Sequence, residues 1–168
     1  MPHTAQRIIE RFGLQRHPEG GYFREVYRAG LTVDHPALEG ASERRRSAGT
    51  FIYFMLTAGD FSAFHRVLCS DEIWHLYAGG PLELHIVDAA GQHVPRILTT
   101  DLAAGEPTAV VPAGWWQAAR LAPGSAWAFG GCTVSPGFDF KDFEMPAAAP
   151  LLEAYPAHAA IIRSLTRR

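Results

Sequence analysis

The stretch that decides the fold of this chain spans residues 64–79 and reads Phe64-His-Arg-Val-Leu-Cys-Ser-Asp-Glu-Ile-Trp-His-Leu-Tyr-Ala-Gly79. It overlaps two short runs, residues 61–67 and 72–77, that are rich in aromatic and β-branched side chains. Such residues favour strands, and the short connection between the runs is typical of hairpin spacing. The stretch therefore predicts two neighbouring β-strands.

The same pattern continues on both sides of this stretch, with Gly, Pro and Asp residues between the runs. No helical segment separates the runs, which favours an antiparallel all-β sandwich or barrel over alternating strands and helices. The further predicted strands are residues 22–27, 50–56, 82–87, 109–111 and 126–134.

The ends of the chain have a different character and predict short helices. Residues 4–13 form an amphipathic pattern that begins at the N-cap candidate Thr4, and residues 149–166 form an apolar helical tail. We therefore predict a single domain over residues 1–168, with a barrel core at about residues 20–145. Within it, we expect residues 29–48 to form a long exposed loop and residues 136–144 to cap one end of the barrel.

Composition narrows the function classes. The chain has 168 residues, of which 48% are apolar, and its formal net charge is -2. This balance gives no general attraction to nucleic acid or to an anionic membrane. Two widely separated cysteines and the absence of an apolar signal segment predict a cytoplasmic protein without a disulfide framework.

Two segments resemble the paired motifs of the cupin superfamily. In residues 64–79, His65, Glu72 and Gly79 have the spacing of the first cupin motif. The segment Val111-Pro-Ala-Gly-Trp-Trp-Gln117 resembles the second motif, with its Pro-x-Gly turn.

Two further segments resemble one cupin branch, cupin type 5, which was long catalogued as a domain of unknown function. They are His17-Pro-Glu-Gly-Gly-Tyr-Phe-Arg-Glu-Val-Tyr-Arg28 and Pro136-Gly-Phe-Asp-Phe-Lys-Asp-Phe-Glu144. The resemblance covers about residues 10–165. It implies a jelly-roll barrel (a double-stranded β-helix), close to that of the deoxythymidine-diphosphate-sugar 3,5-epimerases, and a homodimer.

A metal-binding cupin uses His, His, Glu and a late His as ligands, and only part of that set is present. The resemblance places His65, Val67, Glu72 and Gln117 at these positions, so the second ligand is missing and the last is a weak amide. His75 is a substitute only if it turns inward, whereas strand alternation points it outward when Glu72 points inward. We predict no cofactor and keep a divalent transition metal as the alternative.

Strand alternation also predicts the lining of the barrel. His65 and Val67 share one face, and Ser62, Phe64 and Arg66 share the other. With Glu72, Trp74 and Gln117 also inward, the cavity suits a small polar ligand with a flat or sugar-like face.

His65 is the predicted general acid or base, because its ordinary pKa lies near neutrality, and Glu72 is predicted to orient it. The resemblance to the epimerases implies a tyrosine acid, for which Tyr53 and Tyr77 are candidates. The alternative interpretation is that His65 and Glu72 form a buried pair that only stabilises the fold.

Other residues give weaker signals. Arg24 and Arg28 are predicted to share a face, with Glu25 on the other, so that Arg24 either grips a ligand or forms an ion pair. Trp127 is a candidate to stack on a ligand. The run Arg44-Arg45-Arg46 is either an anion lid or a solvated surface.

Three functions follow from this sequence. The first is a cupin that binds, isomerises or epimerises a sugar, a nucleotide-sugar or a similar polar metabolite, using acid–base chemistry. The second is a metal-dependent cupin, such as a dioxygenase or isomerase. The third is a non-catalytic metabolite-binding or regulatory module.

Overall fold

Two antiparallel sheets that face each other make up most of the structure, a computed structural model that describes residues 4–34 and 45–167. In chain order the elements are α1 (Ala5–Phe12), β1 (Gln15–Arg16), β2 (Tyr22–Arg28), β3 (Thr32–Asp34), β4 (Arg45–Ser47), β5 (Thr50–Thr57), β6 (Phe61–Val67), β7 (Asp71–Gly79), β8 (Leu82–Val87), β9 (His93–Leu98), β10 (Thr108–Val111), β11 (Trp116–Leu121), β12 (Trp127–Ser135), a 3-10 helix (Phe140–Asp142), β13 (Phe143–Glu144), α2 (Ala148–Ala154), a 3-10 helix (Pro156–His158) and α3 (Ala159–Ser164).

The order of the strands in the two sheets is that of a jelly roll. Among the described residues, one sheet has the order β1-β2-β5-β12-β7-β10 and the other has the order β13-β6-β11-β8-β9. Strands distant in sequence lie side by side, as β12 does between β5 and β7. The all-β jelly roll with short terminal helices that the sequence predicts is confirmed.

The helices cover the outside of the barrel. Ile8 of α1 packs against Met55 and Phe129 on the outer face of the larger sheet. Helices α2 and α3 cover the smaller sheet, where Phe64 and Trp116 lie in their apolar cluster. None of the helices in the described residues is long and apolar enough to cross a membrane.

A β-bulge in β2 changes which side chains face the barrel. The register between β2 and β5 shifts between Glu25 and Tyr27, so Arg28 lies on the same side as Glu25. The prediction that Arg24 and Arg28 share a face is therefore wrong, because it assumed unbroken alternation.

A second register shift, between β6 and β11, has the same kind of effect. It lies between Gln117 and Ala119, opposite residues 62–65. Ser62 consequently points to the same interior region as His65 instead of to the opposite face, as its hydrogen bond to Glu19 shows.

The predicted long loop at residues 29–48 is partly regular. Strands β3 and β4 pair there as a two-stranded sheet, and residues 35–44, which include Arg44, lie outside the described residues. Arg45 is exposed near Asp34, whereas Arg46 is buried in an ion pair with Asp142. Arg46 thus acts in the interior rather than as part of a solvated lid.

Candidate functional site

One end of the barrel interior contains a cavity of about 320 Å³. Side chains from β2, β5, β6, β7 and β12 form its floor and walls, and the segment 136–144 covers it, as predicted from the sequence. The described lining residues are His17, Glu19, Phe23, Glu25, Arg28, Thr50, Ile52, His65, Val67, Glu72, Cys132, Val134, Phe138, Asp139, Phe140 and Phe143.

Glu19 and His65 form a buried pair on the cavity floor. The Oε2 atom of Glu19 lies 3.3 Å from Nε2 of His65, and the exposed fractions of the two side chains are 6% and 2%. The Oε1 atom of Glu19 accepts a hydrogen bond of 2.8 Å from the Ser62 hydroxyl. Oε2 is therefore the Glu19 oxygen that is left to interact with the imidazole.

Hydrogen bonding fixes where the protons of this pair can be. Nδ1 of His65 lies 2.8 Å from the carbonyl oxygen of Ala63, which can only accept, so Nδ1 carries a proton. Nε2 of the neutral ring then carries a lone pair, which faces a carboxyl oxygen of Glu19. The contact is attractive only if one further proton lies between Nε2 and Oε2. The pair therefore holds one transferable proton, on either Glu19 or His65.

Burial shifts both groups towards their neutral forms. It raises the pKa of Glu19 and lowers the pKa of His65, because the charged form of each loses its hydration. The negative field of Glu72 acts in the opposite direction and raises the pKa of His65. Burial thus favours the proton on Glu19 over the proton on His65, while Glu72 favours the imidazolium whenever His65 becomes protonated.

His17 completes the floor beside Glu19. Its Nδ1 accepts the backbone N–H of Glu19 at 3.3 Å and lies 3.5 Å from Oε2 of the same residue. Burial is the main cause that lowers the pKa of His17, and the neutral ring accepts the Glu19 N–H through the lone pair of Nδ1.

A chain of hydrogen bonds holds Glu72 in place. The indole Nε1 of Trp74 donates to Oε1 of Gln117 at 2.6 Å, and Nε2 of Gln117 donates to Oε2 of Glu72 at 2.6 Å. Because an indole N–H can only donate, it fixes the orientation of the amide. Burial raises the pKa of Glu72, whose carboxyl group also accepts from the Cys132 thiol.

Aromatic rings form the cover of the cavity. Phe138, Phe140 and Phe143 contact one another with ring centroids 4.9–6.0 Å apart, and Phe143 lies 5.3 Å from the His65 ring. A buried two-pronged ion pair, Arg46 to Asp142 at 2.8 and 2.9 Å, holds this segment to β4.

The exposed pair of Glu25 and Arg28 marks the mouth of the cavity. Arg28 donates to both carboxyl oxygens of Glu25, at 3.0 and 2.7 Å, and to the carbonyl oxygen of Phe138 at 3.1 Å. The arginine of β2 that reaches the cavity is thus Arg28. Arg24 lies on the outer face, over the ring of Tyr53, which does not fit the predicted ligand contact.

The structure places the predicted site residues in three positions: in the cavity lining, behind that lining, and on the outer face of the larger sheet. His65 and Glu72 line the cavity. Trp74 and Gln117 lie behind Glu72 and support it, rather than lining the cavity as expected.

Four further candidates lie on the outer face of the larger sheet, away from the cavity. Tyr53 packs against Phe12 and Phe129, and Trp127 belongs to the same apolar cluster. His75 bonds Thr133 and stacks on Tyr77. Tyr53 and Trp127 were expected inside. Strand alternation explains the correction, because the inward positions belong to Ile52 and Phe54 on β5 and to Ala128 and Cys132 on β12.

Glu19 and His17 are site residues that the strand pattern and the cupin motifs do not identify. Both come from the turn before β2, and Gly20 and Gly21 adopt positive φ angles of 116° and 71° there. That turn sends the carboxyl group back under β6, where the Glu19 carbonyl accepts from the Ala63 N–H at 2.9 Å. The only signal was the His-Pro-Glu-Gly-Gly segment itself, which contributed to the resemblance without a stated role.

Comparison with known proteins identifies the family. The family described as Cupin superfamily (DUF985) matches residues 6–146. This chain is a cupin. The uncharacterized protein YML079W of Saccharomyces cerevisiae is 32% identical over 151 residues, which cover 84% of this cupin and 74% of the yeast protein.

Solved structures agree with this assignment. A hypothetical protein from Leishmania major has a TM-score of 0.89 at 35% identity and covers 99% of this cupin and 100% of its own chain. Protein SO0799 from Shewanella oneidensis has a TM-score of 0.86 at 35% identity over 99% of both chains. Oxalate decarboxylase from Bacillus subtilis shares the fold, with a TM-score of 0.52 at 17% identity, 89% of this cupin and 36% of that chain.

The residues of this cupin do not fit the metal site that the fold can carry. Val67 offers no ligand atom, and both polar atoms of the Gln117 amide are engaged, one with Trp74 and the other with Glu72. Within residues 4–34 and 45–167, no group of three or more His, Cys, Asp or Glu side chains has a geometry that would hold a metal ion. We therefore assign no step to a metal.

Proposed function

We propose that this cupin binds a small polar metabolite in the barrel cavity and transfers protons to and from it, as an isomerase or epimerase does. The observation that carries the proposal is the Glu19–His65 pair, which holds one transferable proton on the floor of the cavity. General acid–base catalysis needs a group of this kind within reach of the ligand.

The size of the cavity supports a ligand with a single ring. Its volume of about 320 Å³ is near the lower end of the range for small-molecule sites, roughly 300–1,000 Å³. A sugar ring is of this class, and the nucleotide of a nucleotide-sugar would have to extend past Glu25 and Arg28 at the mouth.

The proton pathway that we propose begins and ends at the pair. The pair gives its proton to the ligand, and it takes another proton back when the ligand rearranges, so the protein is unchanged overall. Glu72 stabilises the His65 imidazolium while it exists, because its negative field raises the pKa of His65. Gln117 and Trp74 keep the Glu72 carboxyl group in the position that this role requires.

Exchange of ligand protons with solvent tests the proposal. Candidate sugars and other small polar metabolites are first screened by thermal shift, and those that bind are incubated with the protein in deuterium oxide and followed by NMR. We expect deuterium at one carbon of the true ligand. The His65→Gln variant should lose about 10²–10⁴-fold in this rate, the usual contribution of a general acid or base.

Two matched variants make the test specific. His75→Gln makes the same change on the outer face and should leave exchange intact, and Val67→Trp should block binding by filling the cavity. Native exchange in His65→Gln would refute the role of the pair. Saturable binding without any exchange would instead indicate a non-catalytic binding module.

We also propose a homodimer, as the family resemblance implies. Tyr27 and Tyr77, with exposed fractions of 59% and 45%, give the outer face of the larger sheet apolar surface that a second copy would cover. Light scattering coupled to size-exclusion chromatography should give twice the chain mass, and a monomer at micromolar concentration would refute this.

A further inference from the structure

The cavity floor presents hydrogen-bond acceptors. The carboxyl groups of Glu19 and Glu72 lie there beside the His65 ring, and Glu19 shares one proton with that ring. Two neighbouring donors are already used, because Ser62 bonds Glu19 and Gln117 bonds Glu72. A ligand that carries donors of its own can therefore bond the carboxyl oxygens of this floor.

The charged side chains of the lining are mostly acidic. The only permanently cationic side chain among the described lining residues is Arg28, and a carboxylate already neutralises it at the mouth. Arg167 approaches Glu19 from outside the cavity and pairs with Asp60 at 2.8 Å. The carboxyl groups of the described lining are Glu19, Glu25, Glu72 and Asp139.

Aromatic rings form the rest of the walls. Phe23 lies 4.5 Å from the His17 ring at one side, and the three rings of the cover lie above the floor. The faces of aromatic rings attract cations, and the attraction grows when the site is sheltered from water. The same walls give no stabilisation to a phosphate or a carboxylate.

From these observations, and resting on the proposed function of the cavity, we infer that the ligand is a compact organic cation with a protonated amine. The ammonium group lies between Glu72 and the Glu19–His65 pair and donates to their carboxyl oxygens, and the aromatic cover packs on the rest of the molecule. An amino sugar belongs to this class. An anionic group would be repelled by Glu72 whenever that carboxyl group is ionised, because the cavity shelters the two charges from water.

Matched sets of small molecules test the charge preference directly. Each set keeps one carbon frame and changes one group, for example glucosamine, glucose and glucuronate, or benzylamine, benzyl alcohol and benzoate. Isothermal titration at neutral pH measures each dissociation constant. We expect the amine of at least one set to bind about tenfold or more tightly than its neutral partner, and the anion to bind most weakly.

Variants then locate the cause of the preference. Glu72→Gln keeps the shape of the side chain and removes its charge, so it should bring the amine to within about twofold of the neutral compound. Glu144→Gln makes the same change in net charge on the surface and should leave the preference intact.

The possible outcomes distinguish a failure of this inference from a failure of the proposed function. An anion or a neutral compound that binds as tightly as its amine partner, with binding lost in Val67→Trp, would overturn the inference and leave the cavity as the binding site. If no compound of any set binds in a manner sensitive to Val67→Trp, the proposed function and this inference both fail. An amine preference that survives in Glu72→Gln would overturn the assignment of Glu72.

Discussion

The two ends of the barrel differ in what fills them, although the same strands run through both. Along β7 the inward side chains are Glu72, then Trp74, then Leu76, so one strand passes from the cavity into packed core. Along β5 the sequence of inward residues is Ile52 at the cavity and Leu56 in the core. Apolar side chains close one end completely, and the other end is left open for a ligand.

The difference shows how a fold separates stability from function. At the packed end, close contacts and burial of apolar surface stabilise the barrel. At the cavity end the buried polar groups would be costly if unpaired, and Ser62, Gln117 and Asp142 satisfy them instead. The cavity end should therefore depend on a few specific bonds and the packed end on volume.

The largest effect is expected at the ion pair that holds the cavity cover. Asp142→Ala leaves the Arg46 guanidinium, which is 5% exposed, buried without its carboxylate, and should cost about 3–5 kcal/mol in urea unfolding. Glu144→Ala removes the partner of Arg66 at the surface and should cost about 0–1 kcal/mol. Equal costs would show that the cover is not held by the buried pair.

Matched valine truncations compare the two ends directly. Val111→Ala at the packed end loses buried methyl groups and leaves a void, so it should cost about 2–3 kcal/mol. Val67→Ala only widens an existing cavity and should cost about 1–1.5 kcal/mol, without the contribution of a new void. Urea unfolding measures both, and a larger cost at Val67 would contradict the comparison.

The boundary between the two ends is the Trp74–Gln117 hydrogen bond. Trp74→Phe keeps most of the packing but leaves the buried Gln117 oxygen without its donor, which should cost about 1–3 kcal/mol in thermal or urea unfolding. The same change at Trp127, on the outer face, is the control. If both changes cost the same, the bond does not position Gln117.

The smallest effect is a dependence on pH that belongs to Glu72. Burial raises the folded-state pKa of Glu72 above its ordinary value of 4.5, so the folded protein holds this proton to higher pH than the unfolded chain does. This group therefore makes the native protein lose stability as pH rises from the unfolded pKa through the folded pKa. The Glu72→Gln variant lacks this loss. The difference between its free energy of unfolding and that of the unsubstituted protein should therefore increase as pH rises over that range. A difference that is constant from about pH 4 to pH 8 would refute the shift.

Local pattern predicts well where alternation is unbroken. His65, Val67, Glu72 and Trp74 point inward as the sequence predicts, and His75 points outward. Pattern fails at the register shifts of β2 and β6, which turn Arg28 to the cavity mouth and Ser62 to the interior, because a bulge depends on the partner strand as much as on the strand itself.

The amino-acid sequence by itself determines that this protein is a cupin jelly roll with His65 and Glu72 inside, since period-two patterning and motif spacing are local properties. Only the tertiary structure decides that Glu19, from a turn far away in sequence, and not Glu72, is the direct partner of His65. It also decides that Gln117 supports Glu72 from behind and that Tyr53 lies outside. The reason is physical: contacts between distant segments follow from how the sheets close on each other, and alternation along one strand carries no information about that closure.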